Sequence, residues 1–408
     1  MRNLEPGPQI QQFTSENIML DVKAIQSELR AHKMDGWLFY DILHRDQLAY
    51  RILGITAMAK RRWFYLIPAK GEPRKLVHRI EAKTLDALPG RKLEYAALDE
   101  LQKGMVRLLS GTRVLAMQYS PKNNVPQLSL VDAGTVEWIR GLKKKVVSSA
   151  DLVQKFEATW TPAQLESHLE AGKIIDRVTR DAFTRAGALI KEHHSITEYE
   201  LQQWMADQFR AQGVCADSAP VVAVGPNSSD SHYSPAATGS LPIKEGSFLL
   251  LDVWGKLDKP DSVYYDITWT GYLGHTVPEK YAKVFRVVRE AREAAVAFVK
   301  DAVAAGRTIR GWQVDDAARS VIRKAGYGKY FVHRTGHSIG QEVHGSGANM
   351  DGLETKDDRQ IIARTCFSVE PGIYLGEFGV RTEVNVYVSE SEARVTGPEQ
   401  EEIIPILA

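Results

Sequence analysis

Cysteine is scarce in this sequence: its 408 residues include only two, Cys215 and Cys366, and no CxxC motif. The two could pair, but a chain of this length needs no covalent staple to hold its core together. The sequence therefore predicts a protein with reduced thiols and a cytoplasmic location.

Long apolar runs are also absent. No stretch of 18 apolar residues occurs, so we expect no transmembrane helix. The first residues, MRNLEPGPQIQQFTSE, carry early acids and prolines and no apolar core, which is unlike a signal peptide. Lys and Arg number 52 against 51 Asp and Glu, a formal charge of +1. This balance predicts neither a nucleic-acid partner nor a membrane partner.

Several common catalytic motifs are missing. The sequence has no GxxxxGK[ST] phosphate loop, no convincing GxGxxG and no HExxH. Residues 336–340, GHSIG, formally match the G-x-S-x-G motif of serine hydrolases, which requires a helix after the serine and an Asp before the histidine. The following QEVHGSG is too short and too rich in glycine for a helix, and no Asp lies between Ser338 and His344. We interpret the match as coincidental.

The sequence does contain a change in the pattern of predicted helices and strands near residues 153–160. The length of 408 residues suggests two domains. After a loose arm at 1–16, a helix closed by Gly36 opens an alternation of helical and strand patterns, which predicts an α/β domain. A long helix then begins at Thr161 and Pro162, and later helices mix with strands, which predicts helices packed on an antiparallel sheet. We divide the chain into domains 1–156 and 157–408.

Two aspartates occur in apolar strands that are expected to form a hairpin. FLLLDVW and VYYDITW flank the turn-forming GKLDKPDS. Asp252 and Asp266 are equidistant from Lys259, so a symmetric turn would place them directly opposite each other, where like charges destabilise a sheet. A buried pair of carboxylates needs a proton, a cation or a metal between them. The alternative is that one aspartate caps a turn in solvent.

The same pattern recurs in CFSVEPGIY and GVRTEVNVYV, a second expected hairpin that carries Glu370 and Glu383. Three histidines precede it within twelve positions: His333, His337 and His344. Each of these residues alone would be read as an exposed strand residue or a satisfied histidine. Four carboxylates and one imidazole together form a mainly oxygen ligand set, which suits a pair of divalent ions such as Mn²⁺, Co²⁺ or Zn²⁺.

Four segments, in order and with similar spacing, resemble the pita-bread metallopeptidases. They are LLLDVW…YYDITWT, HRTGHSIGQEVH, SVEPGIY and GVRTEV, and the resemblance extends over about 157–408. This family includes methionine aminopeptidase, aminopeptidase P, prolidase and the metal-free creatinase. The resemblance implies an α+β pita-bread catalytic domain preceded by a smaller α/β domain of the creatinase type. In the larger relatives such a domain shapes the substrate pocket and helps to form a homodimer.

The resemblance also implies the site residues. The metal ligands would be Asp252, Asp266, His337, Glu370 and Glu383. Of these, Asp266 and Glu383 would bridge the two ions. The catalytic residues would be His232, His344 and Glu370, the last as a proton shuttle. The substrate-binding residues would be His232, His333, His344, Tyr374 and Arg381.

The implied activity is the prolidase reaction, in which a hydroxide that bridges two divalent ions attacks the Xaa-Pro bond of a dipeptide. The alternative is an Xaa-Pro aminopeptidase of the aminopeptidase P type, acting on longer peptides. A non-catalytic binding protein with the same fold is a third reading. The complete acidic set argues against the chemistry of creatinase. Three departures concern specificity more than metal binding: the long gap between Asp252 and Asp266, Gly345 in place of Glu and Thr382 in place of Ile.

Overall fold

The computed structural model describes residues 20–408, which form two compact units. The first unit runs to Tyr119 and also contains Leu130–Ser149 and Lys259–Asp261. The second unit contains Ser120–Ser129, Ala150–Asp258 and Ser262–Ala408. The loose arm predicted for residues 1–16 lies outside the described residues. No helix within residues 20–408 combines the length and the apolar character needed to cross a bilayer.

The first unit is an α/β sandwich around one mixed sheet. Its strands are β1 (Gly36–Asp41), β2 (Trp63–Pro68), β3 (Arg74–His78), β4 (Arg91–Tyr95), β5 (Val114–Met117) and β6 (Lys145–Ser148). Its helices are α1 (Val22–Ala31), α2 (Gln47–Leu53), α3 (Leu98–Leu108) and α4 (Ala133–Gly141). The strand order is β4-β3-β2-β1-β5-β6, with antiparallel pairs at the centre and parallel pairs towards the edges.

The first helix ends earlier than predicted. Helix α1 stops at Ala31, and Gly36 belongs to β1 rather than to a helix terminus. The physical reason is tertiary packing, because a Cβ at Gly36 would lie 2.8 Å from Leu66 Cδ1. The glycine therefore permits close approach of neighbouring strands and does not mark the end of the helix.

The second unit carries the long helices and the antiparallel strands. Its helices are α5 (Ala150–Val153), α6 (Pro162–Lys191), α7 (Glu198–Ala211), α8 (Glu279–Ala304) and α9 (Gly311–Lys324). Its first six strands are β7 (Ile196–Thr197), β8 (Val214–Cys215), β9 (Val221–Val224), β10 (Pro242–Ile243), β11 (Phe248–Leu257) and β12 (Tyr265–Tyr272). The remaining strands are β13 (Ser338–Ile339), β14 (Thr365–Val369), β15 (Gly372–Leu375), β16 (Phe378–Arg381), β17 (Val384–Val388), β18 (Ala393–Val395) and β19 (Ile404–Pro405).

Two sheets and two ribbons organise these strands, and one of the ribbons pairs β7 with β10. One sheet has the order β19-β12-β11-β8, with β9 also paired to β11; the other has the order β13-β14-β17-β18, and β15 pairs with β16. The predicted start of α6 is confirmed, because Thr161 caps the helix in a capping box. Helix α7 begins with the same motif at Thr197.

Strand β11 separates two apolar layers of the second unit. Its side chains alternate between faces, so Leu249 and Leu251 pack with α6 and α7. Phe248 and Leu250 face the opposite way and pack with α8 and α9. Asp252 continues this second face at the point where the apolar residues end. The strand thus delivers a carboxylate to the edge of a hydrophobic core.

Candidate active site

The two aspartates stand on one face of the β11–β12 hairpin. The register pairs Asp252 with Thr268, and Trp254 with Asp266. The prediction that the aspartates lie directly opposite each other was therefore wrong: they are diagonal neighbours, still within side-chain reach. The hairpin is centred on Pro260 rather than on Lys259, and this shift of one residue moves every cross-strand partner by two positions. Beyond Gly255, β11 leaves β12 and pairs with β8.

The two glutamates interrupt the second hairpin at matching positions. Strand β14 pairs with β17, and β15 with β16, in one continuous register. Between these ladders the chain leaves the sheet at Glu370 on one side and at Glu383 on the other, and the common register places the two opposite each other. Pro371 contributes to the break because it has no N–H to give to the ladder. The interruption of the ladder therefore places two carboxylates opposite each other.

His337 immediately precedes β13 and is held by β14. Its N–H donates to Ser368 Oγ at 3.0 Å, and its carbonyl accepts from the N–H of Ser368 at 2.9 Å. These bonds leave His337 Nε2 at 3.4 Å from Asp266 Oδ2 and at 3.5 Å from Glu370 Oε1. One possible ligand atom each from Asp266, His337 and Glu383 lies within 4.8 Å of the others. The structure therefore brings together residues from three separate segments.

The cluster is buried, and burial dominates its electrostatics. Asp266 is 5% exposed, His337 4% and Glu383 2%. Burial raises the pKa of Asp266 well above its ordinary value, and the charges of Asp252 and Glu370 raise it further. Burial and the charge of Asp266 raise the pKa of Glu383 in the same direction. Burial lowers the pKa of His337, which favours a neutral imidazole able to bind a cation.

Two oxygen atoms of the cluster lack a donor. Within residues 20–408, Asp266 Oδ1 and Glu383 Oε1 are buried without a hydrogen-bond partner. A buried carboxylate oxygen without a partner carries a large desolvation cost. A divalent cation would offset that cost and favour the ionised carboxylates. Carboxylate oxygens with an imidazole nitrogen suit Mn²⁺, Co²⁺ or Zn²⁺, so the residues fit a metal site.

Asp252 holds a different position in the network. Its Oδ2 accepts from Arg381 Nη2 at 2.5 Å, and its Oδ1 accepts from Thr268 Oγ1 at 3.0 Å. Thr268 Oγ1 also lies 2.8 Å from Glu383 Oε2, so its single proton serves one carboxylate at a time. Each carboxylate oxygen has a second lone pair, and Asp252 thus keeps the capacity to bind a cation beside these bonds.

Behind the carboxylates, Tyr374 links two residues of the cavity wall. Arg381 Nη1 donates to the Tyr374 hydroxyl at 2.8 Å, and His333 Nε2 lies 2.7 Å from the same oxygen. Burial raises the pKa of Tyr374 to about 12. Burial, and then the charge of Arg381, lower the pKa of His333 to about 3. Of the three, only His333 and Arg381 line the cavity. Tyr374 lies behind them and contacts both through its hydroxyl group.

A cavity of about 450 Å³ leads to the cluster. Its wall includes the predicted residues His232, His333 and His344. The ring of His344 lies 4.3 Å, centroid to centroid, from that of His337. The neighbouring His337, together with burial, lowers the pKa of His344 to about 3. His232 is exposed, and its N–H donates to Asp230 Oδ1 at 2.9 Å.

Sequence reasoning missed several side chains of this wall, among them Asp217, Trp254, Arg334 and Glu354. Trp254 Nε1 donates to Asp217 Oδ1 at 2.9 Å, and the backbone N–H of Arg334 donates to Glu354 Oε1 at 3.2 Å. Arg334 lies inside the histidine motif HRTGH, which was an available signal. Asp217 and Glu354 lie in loops that carry no periodic pattern, so only the fold shows that they face the cavity.

A family comparison agrees with this arrangement. The model of metallopeptidase family M24 matches residues 166–390, which is more than half of the chain. The chain belongs to metallopeptidase family M24. This membership confirms the resemblance to the pita-bread metallopeptidases and explains the cluster of carboxylates and histidine as a possible metal site of that family.

Individual M24 proteins show how far the similarity extends. The chain is 33% identical over 191 residues to the Xaa-Pro dipeptidase of Lactobacillus helveticus, an alignment covering 46% of this chain and 47% of that one. Its structure is similar to dipeptidase PepE from Mycobacterium ulcerans, with a TM-score of 0.68, 24% identity and coverage of 94% and 96%. It is also similar to X-Pro aminopeptidase from Thermotoga maritima, with a TM-score of 0.61, 21% identity and coverage of 94% and 99%. The predicted fold is confirmed.

Proposed function

We propose that this M24 protein hydrolyses the Xaa-Pro bond of dipeptides and depends on two divalent ions. The observation that carries the proposal is the buried cluster of Asp266, His337 and Glu383 beside a cavity of about 450 Å³. A cavity of this size suits a small ligand. The unpartnered oxygens of the cluster are costly in an ion-free protein, and this cost supports a catalytic metal site rather than a structural polar core.

The proposed ligands of the two ions, Mn²⁺, Co²⁺ or Zn²⁺, are Asp252, Asp266, His337, Glu370 and Glu383. Asp266 and Glu383, each with an oxygen that lacks a donor, are assigned to both ions. When bound, such ions supply Lewis-acid chemistry, because they lower the pKa of a water molecule and polarise the scissile carbonyl. The protein's own part is to hold the carboxylates close together in a site shielded from solvent, where a bound cation would favour their ionised forms.

Three side chains are proposed to act on the substrate. Glu370 keeps 17% of its side-chain surface exposed at the edge of the cluster, so it can take a proton from water and pass it to the leaving nitrogen. His344 is neutral at physiological pH and has one N–H to offer to the developing oxyanion. His232, on the same cavity wall, is a second hydrogen-bonding group for the substrate. A proline nitrogen has no amide hydrogen, so a pocket can select it by shape.

Arg334 supports a dipeptide as the substrate. Its guanidinium forms no ion pair with the described part of the chain, whereas Arg381, also on the wall, is held by Asp252 and Tyr374. A guanidinium binds a carboxylate through paired hydrogen bonds. A dipeptide ends in a carboxylate one residue after the scissile bond, but a longer peptide has a neutral amide there. We therefore assign the substrate carboxylate to Arg334.

An Xaa-Pro aminopeptidase acting on longer peptides is the alternative. One observation favours it: Glu354 accepts from the backbone N–H of Arg334 and places a negative charge on the same wall. The negative charge of Glu354 would repel a substrate carboxylate but would not repel the neutral amide of a longer peptide. The third reading, a non-catalytic binding protein, is opposed by the presence of all five candidate ligands in the chain.

One assay separates the three functions. The purified protein is stripped with EDTA, reloaded in turn with Mn²⁺, Co²⁺ or Zn²⁺, and tested with Ala-Pro and Ala-Pro-Ala. We expect Ala-Pro to be cleaved with the higher kcat/KM. Faster cleavage of the longer peptide would favour the aminopeptidase, and no cleavage of either peptide with any ion would favour the binding protein.

The family resemblance also supports three coarser proposals. These are a homodimer, a cytoplasmic location and a functional division into an N-terminal domain at 1–156 and a catalytic domain at 157–408. Light scattering of the full chain tests the first of these, because a homodimer would have twice the mass of 45.6 kDa.

A further inference from the structure

The cavity wall includes a charged residue, Asp217, that the proposed mechanism does not use. Asp217 lies in the loop between β8 and β9, is exposed and lines the cavity. Its Oδ1 accepts from Trp254 Nε1 at 2.9 Å and from the Ser218 hydroxyl at 3.3 Å. No ion pair of Asp217 is found within the described residues. The carboxylate is thus oriented by an indole and remains free to meet a cation.

Asp217 stands apart from the strands that carry the candidate ligands. Trp254 pairs with Asp266 in the β11–β12 hairpin, and Asp217 contacts this hairpin through the Trp254 indole N–H. The Trp254 side chain therefore lies between the Asp217 carboxylate and the strand backbone. In agreement, the charge of Asp217 raises the pKa of Asp266 less than the charges of Asp252 and Glu370 do.

This position suits a substrate side chain better than the α-ammonium group. The α-nitrogen of a dipeptide is separated from the scissile carbonyl carbon by a single carbon, so it must stay beside the reacting centre. The side chain of the N-terminal residue extends away from that centre. Long cationic side chains also lay their methylene groups on apolar surfaces and their charge near aromatic rings, and the Trp254 indole offers both.

We propose that Asp217, oriented by Trp254, makes this protein prefer Xaa-Pro substrates whose N-terminal residue is lysine or arginine. The inference rests on the proposed function and adds the class of N-terminal residue. Asp217 is then a specificity-determining residue, and Trp254 is a positioning residue that fixes the direction of the carboxylate.

The test compares Lys-Pro with norleucine-Pro, which has a side chain of similar length without the ammonium group. We expect the wild type to favour Lys-Pro by about fivefold in kcat/KM, the usual upper effect of a solvent-accessible ion pair. Asp217→Asn keeps the shape and the acceptor for the indole but removes the charge. It should abolish most of this preference, chiefly by raising the KM for Lys-Pro.

Two further variants sharpen the result. Trp254→Phe keeps an aromatic wall but removes the N–H that orients Asp217, so the preference should fall by less than in Asp217→Asn. Asp181→Asn removes one exposed negative charge from α6, outside the cavity wall, and should leave the preference as in the wild type. A loss of preference in Asp181→Asn would show a general charge effect and overturn the assignment.

The outcomes distinguish the inference from the function on which it rests. Equal losses on both dipeptides in Asp217→Asn would assign the carboxylate to the α-ammonium group or to the loop and would overturn the side-chain assignment. An unchanged preference would overturn it as well, while cleavage of norleucine-Pro would leave the proposed function standing. If the metal-loaded wild type cleaves neither dipeptide, the proposed function fails and this inference fails with it.

Discussion

At the scale of single residues, the central feature is a pair of buried acids that the protein alone does not neutralise. Asp266 and Glu383 each keep an oxygen without a donor, and burial raises the pKa of both. The protonated, ion-free state and the ionised, metal-bound state are two ways to relieve the same cost. Variants of these residues should therefore affect stability and metal binding in opposite directions.

The first prediction concerns Glu383→Gln in the EDTA-treated protein. The pKa of Glu383 in the folded state lies above its unfolded value of about 4.3. This difference stabilises the folded state fully at a pH below about 4.3, and the stabilisation is lost as the pH rises towards the folded-state pKa. The variant lacks this loss, so its Tm relative to the wild type should increase from about pH 4 upward. Differential scanning fluorimetry from pH 4 to pH 8 measures the difference, and a difference independent of pH would contradict the prediction.

The same variant should lose the thermal response to metal. Added Mn²⁺ should raise the Tm of the wild type, because an ion that binds only the folded state stabilises it. Glu383→Gln lacks a carboxylate proposed to contact both ions, so its Tm should change little and its peptidase activity should be absent. An equal rise in Tm in both proteins would exclude Glu383 as a ligand.

The second prediction concerns Arg334→Ala and a matched pair of substrates. Loss of a charged hydrogen-bonding partner for the substrate carboxylate should raise the KM for Ala-Pro about tenfold or more. Ala-Pro amide has no carboxylate, so its kcat/KM should change much less. Steady-state kinetics on both substrates measures the difference, and Arg334→Lys should recover part of it. Equal effects on the two substrates would remove Arg334 from carboxylate binding.

At the scale of secondary-structure elements, α6 holds the hairpin that carries the aspartates. His168 on α6 is fully buried; its Nδ1 lies 2.6 Å from the Tyr264 carbonyl oxygen and its Nε2 lies 2.7 Å from Thr396 Oγ1. Burial lowers the pKa of His168 to about 4. Since Tyr264 immediately precedes β12, this histidine fixes the start of the strand that contains Asp266.

The third prediction is an acid sensitivity that originates at His168. The unfolded chain protonates this histidine below about pH 6.5, but the folded protein does so only near pH 4. The contribution is therefore complete above about pH 6.5 and is lost as the pH falls, by roughly 3 kcal/mol in total. Urea unfolding of the metal-free protein at pH 7, 5.5 and 4.5 measures it. His168→Asn should be less stable at pH 7 but lose less stability over this range, and a parallel loss would contradict the assignment.

At the scale of the whole molecule, membership of metallopeptidase family M24 leads us to expect that stability and activity depend on metal ions. The fourth prediction is that EDTA lowers the Tm and abolishes peptidase activity, and that Mn²⁺, Co²⁺ or Zn²⁺ restores both. Saturation at a hundred times the Kd stabilises a folded protein by about 2.7 kcal/mol per site. Mg²⁺ is the matched control, because it retains its waters and should give a smaller shift. An unchanged Tm with all four ions would argue against the site.

The sequence by itself determined those features that depend on neighbours within a few residues. The N-cap at Thr161, the capping box at Thr197, the buried strands and the fold class follow from local pattern, which short-range sterics and hydrogen bonds enforce. The motifs of the second half also identified the acids and histidines that now meet in one cavity. Their assigned roles remain predictions.

Only the tertiary structure decided the register of the hairpins, the early end of α1 and the cavity wall. The diagonal placement of Asp252 and Asp266 follows from a hairpin centred on Pro260, one residue beyond the centre that the sequence predicted. Asp217 and Arg334 are charged loop residues by sequence, and their place on one wall results from chain segments that pack from far apart. Local patterns fix which residues prefer to be buried, but long-range packing fixes which of them face one another.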